Sequence, residues 1–221
     1  MKIGIISDVH AQYQQLEKAL KHLKRATVDV ILCAGDLIDK GDNAEQVIRT
    51  MIHHKIPCVR GNHDEAGVSN QRWLRRSMDD DYVEETLHRL NRGEMVQTKL
   101  LSDRAIIYLQ TLPFQLTFRW QQTRILLVHG SPQSNSQYLM PTMPDNLLQS
   151  FLADANADII ICGHTHSPMY RPLGKQLLLN SGSVCASPHN RESNTCAILT
   201  LPERRFDLIS LDTGKTISLS E

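Results

Sequence analysis

Five short segments, each placed directly after an apolar run rich in isoleucine and valine, constrain this 221-residue chain most strongly. Together they bring carboxylate, imidazole and amide groups from five separate places. Such convergence suits a metal centre, because one loop cannot surround two cations, and the mixed donor set fits a dinuclear hydrolytic centre. The segments are Asp8-Val9-His10, Gly35-Asp36-Leu37-Ile38-Asp39, Gly61-Asn62-His63-Asp64, His129-Gly130 and Gly163-His164-Thr165-His166.

The apolar runs of the first third alternate with helical patterns. Continuous runs at 2–7, 28–33 and 56–59 predict buried strands, and the spacing of leucine, valine and isoleucine predicts helices at 12–25 and 43–53. This alternation implies a parallel sheet with right-handed crossovers. The groups that follow each strand are then expected to collect at the carboxyl edge of the sheet.

The rest of the chain contains more strands and a charged insertion. Further strands are predicted at 114–120, 125–129, 158–162, 176–180, 195–201 and 206–211, with a helix at 145–153. The last three strands are expected to form a second, more antiparallel sheet. Ser102 is predicted to be the N-cap of a helix that ends before Pro113.

The stretch at 65–110 is rich in charge and helical in period. It is interpreted either as a solvated helical excursion or as a cap over the site, with Trp73 as the apolar contact of that cap. Linkers, repeats and low-complexity segments are not evident, so a single domain over 1–221 is predicted.

Composition excludes some classes of function. Lys plus Arg (24) equals Asp plus Glu (24), so no overall field favours nucleic acid or an acidic membrane. Apolar runs fall short of the roughly 18 residues that a membrane span requires. The five cysteines are irregularly spaced and without a Cys-x-x-Cys pair, which favours reduced thiols and a cytoplasmic location. The oligomeric state is not predicted.

Each chemical segment taken alone is a weak signal. A single Asp-x-His, or a histidine at a strand end such as His129, is more often structural than metal-binding. Two histidines either side of one residue, as in His164 and His166, are a stronger signal. The joint order, with each segment after its own strand, favours the metal interpretation. Histidines outside that context are interpreted as surface residues: His22, His53, His54, His88 and His189.

With all five segments in order, and the run at 180–184 as a weaker sixth, the chain resembles the calcineurin-like metallophosphoesterases, particularly their small single-domain bacterial and archaeal branch. The resemblance covers residues 1 to about 185. It implies an α/β fold, a four-layer αββα sandwich with two mixed β-sheets face to face. The implied ligands are Asp8, His10 and His166 for one metal, Asn62, His129 and His164 for the other, and Asp36 as the bridge between them.

This ligand set implies a chemistry. A carboxylate suits a bridging position, because it has two oxygens and a full negative charge. Two metals about 3.5–4 Å apart clamp a phosphoryl group and lower the pKa of a shared water toward neutrality, so that hydroxide attacks phosphorus in line. The family resemblance favours Mn²⁺, and Fe, Zn, Ni or Co also suit imidazole-rich sites.

Five further residues have predicted roles near the metals. In the family the residue matching His63 faces the substrate, so His63 is the expected proton donor or stabiliser of phosphoryl oxygens. Asp64 is predicted to hydrogen-bond its imidazole, or else to cap the following turn. Asp39 is expected to orient a ligand such as His10. Lys40 stands where phosphoprotein phosphatases carry an arginine, and Arg60 is a candidate phosphate contact or a surface residue.

The expected partner is a phosphate-ester substrate, with phosphodiesters preferred, because the segments offer few cations for a dianionic monoester. The alternatives are a phosphomonoesterase acting on nucleotides or phosphoproteins, suggested by the Gly-Asp-x-x-Asp-Lys-Gly run at 35–41, and a non-catalytic scaffold of the same fold. Ser181 stands where this branch often has proline, which implies a differently shaped loop.

Overall fold

The protein is described by a computed structural model over residues 1–74, 100–186 and 194–219, without the side chains of 72–74. Most of the predicted insertion at 65–110, including the side chain of Trp73, therefore lies outside the described residues. Its two ends are helical, as predicted. The described helices are α1 (Tyr13–Arg25), α2 (Ala44–His53), α3 (Asn62–Leu74), α4 (Asp103–Thr111) and α5 (Asp145–Leu152).

The strands form two mixed sheets, each with parallel and antiparallel neighbours. They are β1 (Lys2–Ile6), β2 (Val30–Cys33), β3 (Gln115–Trp120), β4 (Thr123–Val128), β5 (Ile159–Cys162), β6 (Met169–Leu173), β7 (Gln176–Asn180), β8 (Thr195–Thr200), β9 (Arg205–Ser210) and β10 (Thr216–Ile217). The first sheet has the order β10-β9-β8-β1-β2, and the second has the order β3-β4-β5-β7-β6.

Alternation along the strands divides the core into layers. Ile3 and Ile5 of β1 pack between the two sheets, against residues such as Leu127 of β4 and Ile161 of β5. Ile6 faces the opposite way, toward α1, α2 and α4. The outer face of the second sheet packs on α5. Each buried isoleucine contributes about 1.5–3 kcal/mol of transfer free energy. The predicted four-layer sandwich is confirmed.

The predicted helix positions agree with the structure to within one residue at the ends of α1, α2 and α5. Ser102 is the N-cap of α4, as predicted, and its hydroxyl oxygen accepts a hydrogen bond from the backbone N–H of Ala105. Gly4 allows α1 to pack closely on the first sheet, since a Cβ atom there would lie 3.0 Å from Cδ1 of Leu23.

Two predictions about the strands are wrong. The run at 56–59 forms a single bridge between Cys58 and Cys33 rather than a strand, and Pro57, at its centre, lacks the N–H that a ladder requires. The final strands do not form a separate sheet. Strand β7 pairs in parallel with β5 of the second sheet. Strand β8 pairs antiparallel with β1 of the first sheet, and its residues Ala197 and Leu199 bury their side chains between the two sheets. The short strand β6 was not predicted.

All five cysteines are buried free thiols, as expected of reduced residues. Within the described ranges, the structure contains no helix that is both long and apolar enough to cross a membrane.

Candidate metal centre

The predicted ligands lie on loops that continue the pairing of the strands before them. Beyond β1 and β2, the N–H of Asp8 donates to the carbonyl of Gly35 at 2.9 Å, and the N–H of His10 donates to that of Asp36 at 3.0 Å. Beyond β4 and β5, Gly163 donates to His129 at 2.7 Å. The loops are therefore fixed relative to one another before any side chain is considered.

The backbone at these positions is strained. Five predicted ligands have a positive φ, a region that residues other than glycine rarely adopt. Residues held there cost about 1–3 kcal/mol each, and they cluster at functional sites. The φ angles are 54° for Asp8, 48° for His10, 56° for Asp36, 65° for His164 and 57° for His166.

Two glycines allow the loops to approach each other. Gly35 has a φ of +95°, and a Cβ atom there would lie 2.8 Å from the backbone nitrogen of Gly61. A Cβ atom at Gly61 would overlap Oδ1 of Asp36. Neither position has room for a side chain, because the loops after β2 and before α3 touch at the backbone.

One group of ligand atoms consists of Asp8, His10 and His166, as the sequence predicts for the first metal. Nε2 of His166 lies 3.3 Å from Oδ1 of Asp8, and Nε2 of His10 lies 3.1 Å from Nε2 of His166. The three ligand atoms lie within 4.8 Å of one another. One cation placed between them can be reached by all three.

A second group consists of Asp36, His129 and His164. Nε2 of His129 lies 3.2 Å from Oδ2 of Asp36 and 3.0 Å from Oδ1 of Asn62. The Asn62 amide oxygen therefore lies beside this group, as predicted for a neutral ligand. Rings of His129 and His164 pack edge to face with centroids 5.1 Å apart.

Asp36 faces both groups. Its Oδ2 atom lies 3.2 Å from Nε2 of His129 and 3.8 Å from Nε2 of His10. Its other oxygen, Oδ1, accepts a hydrogen bond from the backbone N–H of His63 at 2.9 Å. One carboxylate oxygen is thus fixed by the backbone, while the other lies between the two groups.

Backbone carbonyls orient the imidazoles. Nδ1 of His10 lies 3.2 Å from the carbonyl oxygen of Ile38, and Nδ1 of His129 lies 2.6 Å from that of Ala34. Both contacts direct Nε2 into the centre. The ring of His164 has the opposite orientation, since its Nε2 atom, and not Nδ1, contacts a backbone carbonyl, that of Ser136 at 3.2 Å. Sequence reasoning missed these partners, because a backbone carbonyl leaves no signal in the residue type.

The charges of the centre are strongly coupled. Burial lowers the pKa of His10 to about 4, against the opposing effect of Asp36 and Asp8. Burial also opposes the charged form of His129, but Asp36 and Asp8 outweigh it and raise the pKa of His129 to about 10. The pKa of Asp36 lies well below its usual range, because His129 and the other imidazoles outweigh burial. Bound cations would replace the His129 proton, since a ligating imidazole must be neutral.

The donor set fits divalent cations. Oδ1 of Asp8 is buried and accepts no hydrogen bond from the described residues, while imidazole nitrogens of His166 and His10 lie 3.3 and 3.9 Å away. A buried carboxylate oxygen without a hydrogen bond is costly unless a cation compensates it. The other oxygen, Oδ2, accepts from the hydroxyl of Ser7 and the N–H of His164.

The sequence was compared with known protein families to identify the family of this site. The calcineurin-like phosphoesterase superfamily domain matches residues 1–204. The chain belongs to this superfamily. The predicted resemblance is therefore confirmed, and with it the predicted class of enzyme, a phosphoric ester hydrolase.

Two relatives and one solved structure are similar to this chain over most of its length. An uncharacterized protein of Methanocaldococcus jannaschii is 24% identical over 185 residues, which is 82% of this chain and 69% of the relative. A phosphodiesterase of the same organism is 23% identical over 187 residues, covering 84% of this chain and 85% of the relative. The crystal structure of a metallophosphoesterase from Sphaerobacter thermophilus has a TM-score of 0.70 at 20% identity, over 100% of this chain and 90% of that one.

In this phosphoesterase, His63 lies beside His10 and Asp36, with which it forms a third group of possible ligand atoms, and it is oriented by Asp39. Its Nδ1 atom lies 3.0 Å from Oδ2 of Asp39, and its Nε2 atom lies 3.8 Å from Oδ2 of Asp36. The prediction that Asp39 orients His10 is wrong. The carboxylate of Asp39, whose φ is 75°, contacts His63, and the carbonyl of Ile38 holds His10 instead.

Asp64 does not contact the His63 ring as predicted. Its carboxylate accepts backbone hydrogen bonds from Asp36 at 2.9 Å, Leu37 at 2.8 Å and Gly61 at 3.0 Å. The alternative, that Asp64 caps the following turn, describes only the bond from Gly61, because the other two bonds come from the loop after β2. Burial and the charge of Asp36 raise the pKa of Asp64 to about 6, against those N–H bonds. Asp64 joins the loop that carries Asp36 to the start of α3.

The two predicted phosphate contacts differ. Arg60 points away from the centre: its Nη2 donates to the carbonyls of Gln110 at 2.7 Å and Leu112 at 2.8 Å, at the end of α4. The exposed Lys40 reaches the centre, with Nζ 3.0 Å from Nε2 of His10.

Asn180 has a positioning role that sequence reasoning did not assign. Its side-chain amide donates to the carbonyl of Gly163 at 2.8 Å and to the hydroxyl of Thr165 at 3.1 Å. The loop that carries His164 and His166 is therefore held from β7. The sequence contains a signal for this role, because Asn180 is a polar residue at the carboxyl end of an apolar strand.

Proposed function

We propose that this phosphoesterase is a dinuclear metal-dependent phosphodiesterase. The observation that carries the proposal is the position of Asp36, whose Oδ2 atom lies 3.8 Å from Nε2 of His10 in the first ligand group and 3.2 Å from Nε2 of His129 in the second. One cation would be held by Asp8, His10 and His166, and a second by Asn62, His129 and His164. When bound, such a pair of cations binds phosphoryl oxygens and activates water for attack on phosphorus.

Residues of the chain complete the reaction. His63 is proposed to donate the proton to the leaving oxygen from Nε2, since Asp39 holds Nδ1 and Nε2 faces the centre. His63 is 4% exposed, so bulk water competes little for that proton. Asp64 and Asn180 act indirectly, because they hold the loops that carry the ligands.

Charge supports the preference for diesters. A monoester dianion needs several cations, whereas a diester carries one negative charge and needs room for a second substituent. Of the two predicted phosphate contacts, only Lys40 reaches the centre, because Arg60 is bonded to the end of α4. The phosphodiesterase relative is consistent with this preference.

A phosphomonoesterase acting on nucleotides or phosphoproteins is the second candidate. The specific observation in its favour is the ammonium of Lys40, which lies beside the first ligand group. Lysine provides charge to a phosphate but lacks the planar fork of an arginine. Removal of this charge therefore separates the candidates: Lys40→Met should lower kcat/KM about tenfold or more for monoesters, while diester hydrolysis changes less.

The experiment that tests the proposal compares bis-p-nitrophenyl phosphate with p-nitrophenyl phosphate. The protein is purified without chelators, its metal content is measured, and each ester is assayed with Mn²⁺, Fe²⁺, Zn²⁺, Ni²⁺ and Co²⁺. We expect the highest activity with Mn²⁺ and faster diester turnover. Faster monoester turnover would favour the second candidate. Absence of turnover of either ester with every metal would support the non-catalytic scaffold.

A further inference from the structure

We propose that Tyr138 is a stacking platform that selects esters with a planar ring, a nucleobase or an aryl group, attached near the phosphate. This inference rests on the proposed function and narrows its substrate class. Tyr138 belongs to the loop between β4 and α5, outside the five segments that carry the metal ligands.

The ring of Tyr138 lies against a predicted metal ligand. The ring centroids of Tyr138 and His164 are 4.2 Å apart, with an interplanar angle of 36°. His164 in turn packs on His129 at 5.1 Å. The three rings therefore form a continuous row, which runs from the buried second ligand group to the protein surface.

Tyr138 is exposed although the loop around it is anchored. Asn135 is 7% exposed and donates a hydrogen bond to the carboxylate of Glu65 at 2.8 Å, and Leu139 is 1% exposed. Tyr138 stands between these anchors and is 52% exposed. Single exposed large side chains are ordinary, so what distinguishes Tyr138 is that its exposed ring also contacts a predicted metal ligand.

The two ligand groups thus have different neighbours. The ammonium of Lys40 lies beside the first group, 3.0 Å from Nε2 of His10, and the ring of Tyr138 lies beside the second group. A phosphate between the groups has a cation available on one side and an aromatic face on the other. That combination recognises an anionic phosphate with a planar substituent, because base–aromatic stacking needs only a π-face.

The test compares three variants on two diesters. Tyr138→Phe keeps the ring, Tyr138→Leu removes it, and Tyr170→Leu is a matched control at an exposed tyrosine of β6. The diesters are adenylyl-3′,5′-adenosine, which carries bases, and glycerophosphoethanolamine, which carries none. We expect the ratio of their kcat/KM values to fall about tenfold in Tyr138→Leu, mainly through KM, as for the loss of one base stack. Tyr138→Phe and Tyr170→Leu should keep the ratio.

A different result would overturn the proposal. If Tyr138→Leu lowers kcat/KM equally for both diesters, the ring only supports His164. If the wild-type protein hydrolyses neither diester, nucleotide binding tests the stacking role of Tyr138 independently of the proposed function. Calorimetry with adenosine 5′-monophosphate and Mn²⁺ should then show about tenfold weaker binding in Tyr138→Leu than in Tyr138→Phe. Inorganic phosphate should bind both variants equally. Equal nucleotide affinity in both variants would overturn the stacking role.

Discussion

The carboxylate of Asp39 lies 3.0 Å from Nδ1 of His63, and Nε2 of the same ring faces Asp36 at 3.8 Å. This contact fixes which ring nitrogen is directed into the centre. The pair therefore has the geometry of a proton donor that is oriented by a second residue.

His63→Ala should lower kcat by about 10²–10⁴-fold, the range typical of a lost general acid. The metal content should stay unchanged, because His63 is not among the proposed ligands. Steady-state kinetics and metal analysis of the same preparation check both statements. Loss of a metal ion in this variant would instead place His63 among the ligands.

Asp39→Asn should have a smaller effect, about tenfold in kcat, because the amide can still contact Nδ1 but carries no charge. The effect should vanish in the His63→Ala background, since both changes then remove the same interaction. A double-mutant cycle on kcat measures this coupling. Additive losses would show that Asp39 acts through a different residue.

The candidate metal ligands can be predicted from the sequence because ligand chemistry requires particular residue types. Asp8, His10 and Asp36 follow recognisable buried strands, and parallel strands bring their carboxyl ends to one edge. The pairing of neighbouring strands in the sheets is harder to predict from the sequence. Strand β8 reads as an ordinary apolar strand, and only its packing between the sheets shows that it pairs with β1.

The residues that hold the ligands were the least predictable part of the site. The sequence predicts that Asp39 orients a ligand such as His10 and that Asp64 bonds to His63 or caps the following turn, but a carboxylate can contact any partner that the backbone direction allows. Asp39 has a φ of 75°, which its residue type alone does not predict, and its carboxylate contacts His63. Asp64 binds three backbone N–H groups, which are the same for every sequence.

Asp36→Ala should reduce the bound metal more than His164→Ala does. Asp36 belongs to the second ligand group and also faces His10 of the first at 3.8 Å, whereas His164 belongs to the second group alone. With two ions in the wild-type protein, we expect His164→Ala to retain one ion and Asp36→Ala to retain neither tightly. Metal analysis after gel filtration checks this, and circular dichroism controls for folding. Equal retention in the two variants would contradict the bridging role.

Gly61→Ala should destabilise the protein and weaken metal binding, because the added Cβ would overlap Oδ1 of Asp36. Overpacking of this kind costs about 1–3 kcal/mol, and here it also displaces a ligand. The control is Gly174→Ala, where the nearest atom is 4.0 Å away and the φ of +63°, a strain that Gly61 does not have, costs about 1–2 kcal/mol. Urea unfolding and metal titration of both variants separate overlap from backbone strain. A Gly61→Ala protein with unchanged metal affinity would contradict the prediction that the added Cβ displaces Asp36.

Arg60→Ala should lower the free energy of unfolding by about 2 kcal/mol, because two hydrogen bonds from a charged donor are lost. Those bonds join the guanidinium to the carbonyls of Gln110 and Leu112, where a positive charge also favours the end of α4. Arg60→Lys should recover part of the loss, since an ammonium can reach one carbonyl. Hydrolysis of bis-p-nitrophenyl phosphate should change less than about twofold in both variants if the protein remains folded. A large rise in KM with unchanged stability would return Arg60 to the phosphate site.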